Sequence, residues 1–372
     1  MNAISQDPRP WLALWRCPGI GPARFLGLLE RYAEPAAVLA APRAELAAFG
    51  LPEAALDWLA APDWAAVEQD LAWLAKPRNH LIHWRHPDYP ALLRQIPDPP
   101  PLLFVHGNPA CLSLPQLAVV GSRHPTPDGR RNAREFAAHL AANGLLIGSG
   151  LALGIDSEAH QGALEAGGLT LAVMGTGPDR IYPARHRELA YAIAERGALV
   201  SELPPGTPPL AEHFPRRNRI LSGLSLGVLV VEAALQSGSL ITARLAAEQG
   251  REVFAIPGSI HNALARGCHA LIRQGAKLVE TAQDILEELG ALARATLPPE
   301  AAAGAAAEAV PELDADYREL LAQMGDAPVS VDLLVQRTGL TAEVVSSMLL
   351  ILELRGYVCA APGGFYSRLR PG

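Results

Sequence analysis

The chain has little cysteine, little lysine and few aromatics. Its four cysteines, Cys17, Cys111, Cys268 and Cys359, lie far apart with no Cys-x-x-Cys pair. That spacing gives no zinc ribbon and no disulfide framework, and it reads as reduced thiols in a cytoplasmic protein. No apolar run reaches the roughly 18–20 residues of a membrane span. The start, MNAISQDPRPWLALW, lacks the charged and apolar regions of a secretion signal. The first strand turn has no G-x-G-x-x-G with an acidic residue about 20 positions on, which excludes a dinucleotide oxidoreductase reading. There is no Gly-Lys-Ser/Thr, so nothing points to ATP use. His80, His83 and His86 recur every third residue, but Pro87 breaks a helix and no thiol or carboxylate completes a ligand set. No metal site and no cofactor is expected.

The net charge is −7, which taken alone argues against a nucleic-acid partner. A polyanion responds to local potential rather than to the sum. The basic residues are almost all arginine, with Lys76 and Lys277 the only lysines. Arginine forks phosphate well, although an arginine excess also follows from a GC-rich genome.

At 372 residues the chain is too long for one core, and its texture changes along its length. Residues 1–78 are rich in Ala, Leu and Trp at helical spacing, with Leu12, Leu14, Phe25, Leu28 and Leu29 on the apolar side of a helix pair. Between them stands Cys17-Pro18-Gly19-Ile20-Gly21-Pro22. Such a turn suits a helix-hairpin-helix that holds a phosphate on free N–H groups, and equally a plain helical bundle. Residues 79–290 alternate short apolar strands (117–120, 145–147, 171–174, 198–201, 228–231, 253–256) with amphipathic helices such as 128–142 and 240–249. Strands apolar throughout and separated by helices predict an α/β fold: an extended Rossmann-like, doubly wound parallel sheet. Residues 291–312 read as an Ala/Pro/Gly-rich linker. Residues 313–372 read as a winged-helix domain, with helices near 317–324, 331–339 and 341–354, Thr341 as an N-cap, and strands at 357–359 and 365–367. The second helix carries little positive charge, which favours a protein-contact or regulatory role.

Open parallel sheets bind ligands at the carboxyl ends of their strands, so function is sought in those loops. After strand 117–120 come Gly121, Ser122 and Arg123, then Thr126 as a cap for a helix starting at Pro127. After 145–147 comes a loop containing Gly150 that leads to Asp156; Asp156 or Ser157 is expected to cap the next helix. After 228–231 come Glu232, then Ser237, Gly238 and Ser239. Tight turns explain the glycines but not the accompanying hydroxyls, which suit a phosphate-lined rim. The sharpest local feature is His213-Phe214-Pro215-Arg216-Arg217-Asn218-Arg219. Phe214 suits base stacking, and on a helix Arg216 and Arg219 share a face while Arg217 points elsewhere. Two arginines would then meet the ligand and the third an acidic partner; a solvated charge face is the alternative. Replacing Arg216 and Arg219 together is expected to flatten the salt dependence of DNA binding.

The runs Val120–Arg123, Ser149–Asp156, His213–Ile220, Val230–Ala233 with Ser237–Ala243, and Ile256–Ser259 resemble, in order and spacing, the DNA processing protein A (DprA/Smf) family. The resemblance is dense over residues 115–290 and looser at both flanks. It implies an extended Rossmann-like domain, with an N-terminal helix-hairpin-helix (SAM-like) domain and a C-terminal winged helix. It implies binding of single-stranded DNA, a homodimer, loading of a RecA-type recombinase in natural transformation, and no catalysis. Carried over residue by residue, the DNA contacts are Gly121, Ser122, Arg123, Gly150, Phe214, Arg216, Arg217, Asn218, Arg219, Ser237, Gly238 and Ser239. Many members have arginine where this chain has Leu153, which removes one of the family's phosphate contacts. The competing reading is a nucleotide hydrolase similar to phosphoribohydrolases. Those carry a glutamate on the helix after the glycine loop, where this chain has Thr242-Ala243-Arg244 and no carboxylate until Glu248.

Overall fold

The computed structural model describes residues 7–296, 315–324, 329–338, 340–341, 344–345, 348–349, 352, 357–361 and 365–368. It divides into two compact units, Met1–Leu297 and Pro298–Gly372.

The first unit opens with six helices, α1 (Arg9–Arg16), α2 (Pro22–Tyr32), α3 (Pro35–Leu39), α4 (Arg43–Ala48), α5 (Glu53–Ala60) and α6 (Trp64–Leu74). The turn between α1 and α2 needs its glycine: Gly19 has φ +75°, and a Cβ there would lie 2.9 Å from Pro52. All five apolar residues expected on the first helix pair are buried, but not on one side. Leu14, Phe25, Leu28 and Leu29 join the bundle core. Leu12 turns away to pack with Val67, Trp73 and the strand residue Phe104. The bundle is therefore anchored on the sheet.

Nine strands form that sheet: β1 (Asn79–His83), β2 (Leu102–Gly107), β3 (Gln116–Val120), β4 (Leu146–Ser149), β5 (Thr170–Val173), β6 (Ala198–Ser201), β7 (Gly227–Val230), β8 (Glu252–Ala255) and β9 (Lys277–Leu278). Their order is β1-β2-β6-β5-β4-β3-β7-β8-β9. Every pairing from β6 to β9 is parallel. β1 and β2 add an antiparallel edge on β6. The six strands read from sequence are all present: β6 keeps the expected bounds, and the other five have ends displaced by one or two residues.

Helices α7 (Ala91–Arg94), α8 (Pro127–Ala142), α9 (Ile155–Glu165), α10 (Arg187–Arg196), α11 (His213–Leu224), α12 (Ser239–Glu248), α13 (Arg266–Arg273) and α14 (Ala282–Thr296) surround it. Alternate residues of β3 serve opposite faces. Leu117 and Val119 pack with Phe136, Leu140 and Ile155. Ala118 and Val120 pack with Ile220, Leu221 and Ala243. Thr126 caps α8 as expected, accepting the Gly129 N–H at 3.0 Å. α14 continues six residues into the segment read as a linker; the rest, 297–312, lies outside the described residues.

The second unit contains helices Ala315–Met324 and Val331–Thr338 and a three-stranded antiparallel sheet of Val329–Ser330, Phe365–Arg368 and Val358–Ala361. Leu320, Met324, Leu334, Leu349 and Val358 form its core. Thr341 accepts the Val344 N–H at 3.4 Å, as an N-cap would. The turn expected at 362–364 and the helix residues 346–347 lie outside the described residues.

Under α9, the His160 imidazole is fully buried against the Thr170 hydroxyl at 2.7 Å, and burial pushes its pKa down to about 3. His83, half-buried beside Trp11, is lowered to about 4, chiefly by the same cause. Between the ordinary value of 6.5 and these values, the unfolded chain binds protons that the folded chain refuses. Stability therefore falls as pH drops through that window. A His160→Asn variant is expected to show a shallower fall by urea unfolding at stepped pH. An identical pH slope would remove His160 as a source.

Candidate functional site

The chain leaves β3 toward β4 on one side and returns to β7 on the other, so the strand order reverses between β3 and β7. A crevice at the carboxyl ends of the strands is expected there. A cleft of about 730 Å³ opens at that point. Nine of the expected residues line it: Gly121, Arg123, Gly150, Phe214, Arg217, Asn218, Ser237, Gly238 and Ser239. Ser122, Arg216 and Arg219 do not.

The β3–α8 loop forms one lip. A Cβ on Gly121 would lie 2.6 Å from Ile155 Cγ1, so only glycine fits. The Ser122 N–H donates to the Glu232 carbonyl at 2.7 Å, and its hydroxyl accepts the His124 N–H at 3.1 Å. Ser122 thus shapes the turn rather than facing the cleft. Arg123 is exposed and makes no ion pair or hydrogen bond among the described residues. The Glu232 carboxylate fixes the same loop, accepting the Thr126 N–H at 2.9 Å and its hydroxyl at 2.6 Å. Across the cleft, α12 starts at Ser239, and the Ser237 and Ser239 hydroxyls meet at 2.6 Å. The positive end of a helix faces the cavity here.

Arg217 comes from α11 and is buried. Its Nη1 donates to the carbonyl of Gly150 at 2.7 Å and to that of Val173; Nε donates to Asn218 Oδ1 at 3.1 Å. A Cβ on Gly150 would lie 2.5 Å from the guanidinium nitrogens, so that glycine is what admits the arginine. Burial pushes the Arg217 pKa down to about 10, with Asp156 opposing and Arg123 adding to the fall. Asp156 does not cap α9, which begins at Ile155 after Gly154. Its side chain turns back to accept the Gly150 N–H at 3.1 Å and the Ala152 N–H at 3.3 Å. Burial raises its pKa against the pull of Arg217. The Ser157 hydroxyl donates to the Gly154 carbonyl at 2.8 Å and does not cap the helix either.

The orientation expected for the arginines is reversed. Arg216 and Arg219 do share a helix face, but it is the face that meets acid. Arg219 Nη2 lies 2.7 Å from Glu202 and its Nε 2.9 Å from Asp98; Arg216 Nε lies 3.3 Å from Glu202. Arg219 is buried at 7% exposure. Arg217, the residue read as pointing away, enters the cleft. Helical spacing alone does not say which face meets the ligand, and the deciding carboxylates are remote in sequence.

Sequence reading also missed Tyr182. It is half exposed on the cleft wall, and its ring centroid lies 5.5 Å from that of Phe214. The signal was an aromatic residue in the loop that follows Gly175-Thr176-Gly177. Phe214 itself packs on Gly175, where a Cβ would come within 2.8 Å of the ring. The hydrolase alternative finds no carboxylate where it needs one: Glu248 is exposed and paired with Arg244 at 3.6 Å, outside the cleft.

The architecture defines the class: an extended Rossmann-like domain with a cleft at its switch point, an N-terminal helical bundle and a small C-terminal α/β unit. The chain belongs to the DNA recombination-mediator protein A family, whose model matches residues 80–290. Models of the DprA-like N-terminal HHH domain and the DprA winged helix domain match residues 5–45 and 304–364. Protein Smf of Escherichia coli is 48% identical over 306 residues, covering 82% of this chain and 81% of its own length. The DNA processing protein DprA of Streptococcus pneumoniae is 50% identical over 200 residues, 54% of this chain and 71% of that one. The DprA crystal structure from Streptococcus pneumoniae superposes with TM-score 0.68 at 38% identity, over 75% of this chain and 97% of its own. The DNA processing protein A of Helicobacter pylori, whose single-stranded DNA binding mode has been described structurally, gives 0.52 at 30% identity over 57% and 95%. The family carries a DNA-processing, recombination-mediator role, and the nucleotide-hydrolase alternative is not favoured.

Because Glu202 is buried under two arginines, Glu202→Ala would leave Arg219 buried with Asp98 alone. The variant is expected to lose about 3–5 kcal/mol in urea unfolding, the scale of a broken buried ion pair. A loss below about 1 kcal/mol, the worth of a surface pair, would contradict the assignment.

Proposed function

We propose that the cleft at the β3–β7 switch point binds single-stranded DNA. On this reading the protein protects incoming strands and hands them to a RecA-type recombinase in the cytoplasm, as a homodimer and without catalysing a reaction. The observation that carries it is the pairing of cations with two aromatic rings, half-buried Phe214 and exposed Tyr182, in one cleft. Arg123 stands free at one lip and Arg217 is held at the floor, while Phe214 and Tyr182 offer a tilted aromatic pair. Phosphate contact and ring stacking together are how sequence-tolerant single-strand binders work. A duplex hides its base faces in the stack and offers nothing to those rings. The DNA-binding Helicobacter pylori relative supports the reading, as does membership of a recombination-mediator family. Among the described residues no helix is long and apolar enough to cross a membrane. For the homodimer, the support is family resemblance together with an apolar groove of about 470 Å³ between α12 and α13, beside the exposed Leu235.

The DNA contacts inferred on this basis are Arg123, Arg217, Asn218, Phe214, Tyr182 and the α12 start at Ser237–Ser239. Gly121, Ser122 and Gly150 shape the cleft, and Arg216 and Arg219 hold α11 in place. Arg123→Ala is expected to weaken binding of a labelled oligothymidylate by about 1–3 kcal/mol, the scale of a charge-assisted contact. It should also lower the salt slope by about one counterion, because one phosphate contact is lost. Unchanged affinity and slope would take Arg123 out of the site. The double replacement of Arg216 and Arg219 should show chiefly as lost stability.

A further inference from the structure

A second cleft, of about 570 Å³, opens at the carboxyl ends of β7 and β8 on the α8 side of the sheet. The first cleft lies on the opposite side, walled by Leu221, Ile241 and Thr242 of α11 and α12. Between them stands one thin partition, the β3–α8 loop and Glu232. It is rigid: Thr126 donates twice to the Glu232 carboxylate, and the Ser122 N–H donates to the Glu232 carbonyl. A Cβ on Gly129 would lie 2.4 Å from that carboxylate, so α8 presses directly on it.

The chemistry of the second cleft differs from that of the first. Its apolar wall is Val231, Ile256, Pro257 and Ala265. Its one arginine, Arg131, is paired with Asp128 at 2.8 Å, and Glu232 adds a second carboxylate. Two acids against one paired cation disfavour a phosphate. The Asn132 side chain, by contrast, lines the cleft and makes no hydrogen bond among the described residues. An unpaired amide donates and accepts at once, as the edge of a nucleobase requires, and an apolar wall suits a base's faces. The volume falls within the range of small-molecule pockets.

We infer that this second cleft takes an unpaired base from the strand held in the first, the backbone crossing the Arg123–Thr126 loop between them. The inference rests on the single-strand reading of the first cleft. It makes Asn132 a base-contacting residue and lengthens the footprint of the protein beyond the switch point.

The test is a fluorescence titration of the full chain with oligothymidylates of increasing length from the trimer upward. Wild type is compared with Asn132→Leu, which removes the amide, and Ser259→Trp, which fills the mouth from a different loop. Both variants should bind the shortest oligomers as wild type does and fall about tenfold, one step of 1.4 kcal/mol, on the longer ones. An oligomer with abasic residues beyond its first few positions should bind wild type as weakly as the intact oligomer binds Asn132→Leu, and no worse to the variant. Unchanged binding of long oligomers by both variants would overturn the inference. So would an equal loss at every length, which would mark damage to the shared partition. An abasic oligomer as good as the intact one would show that no base enters. Failure of wild type to bind any unpaired oligomer would remove the first-cleft reading, and this one with it.

Discussion

A buried guanidinium set among main-chain carbonyls organises this molecule's cleft. Arg217 reaches from α11 to the carbonyls of Gly150 and Val173, at the ends of two parallel strands. Burying a cation costs heavily unless hydrogen bonds and a nearby countercharge replace its water. The fold supplies both, through those carbonyls and the field of Asp156. The Gly150 position has no side chain because the guanidinium occupies that space. Asp156 in turn holds the Gly150–Ala152 loop by accepting its N–H groups. One interaction therefore fixes a helix, a loop and the charge at the cleft floor.

That arrangement works only if α11 is held from behind, which is where Arg216 and Arg219 act. Both clasp Glu202 at the end of β6, and Arg219 also holds Asp98. The same segment is tied to the N-terminal helices. The Trp15 indole donates to the Glu202 carbonyl at 2.8 Å, and Arg16, paired with the buried Asp70 at 2.6 Å, reaches the Pro205 carbonyl at 3.4 Å. The chain between Glu202 and α11 supplies Pro209 and Ala211 to the cleft wall. The helical bundle thus braces the cleft mechanically, whatever else it contacts. A chain of net charge −7 still presents cations where a polyanion would lie, because Arg123 and Arg217 line the cleft while Arg216 and Arg219 are held by acids behind it.

Much of this was legible in the sequence because it rests on local rules. Strands apolar on both faces imply a covered parallel sheet, and the carboxyl-end rule then points to the loops at 121–123, 150 and 237–239. Thr126 before Pro127 announced the start of α8. What could not be read depends on long-range geometry. The role of each arginine in 216–219 turns on acids at 98 and 202, and Arg219 pairs with Asp98 across 121 positions. Asp156 looked like a cap because its spacing suits one; the backbone places it inside the first turn, facing the preceding loop. Tyr182 carries no motif, and only the packing of Phe214 beside it shows its use. Strand β2, which joins β1 to β6, lies behind a proline-rich run, Pro97-Asp98-Pro99-Pro100-Pro101, that hides it from periodicity.

On the proposed reading a free and a buried arginine, flanking two aromatic rings, grip unpaired DNA. The most direct measurement is an equilibrium titration of the full chain with labelled single- and double-stranded oligonucleotides of one sequence at two salt concentrations. Clear preference for the single strand, weakened by salt and little changed by base composition, is the expected result. A chain that ignores single strands in dilute buffer, or binds the duplex equally well, would contradict it.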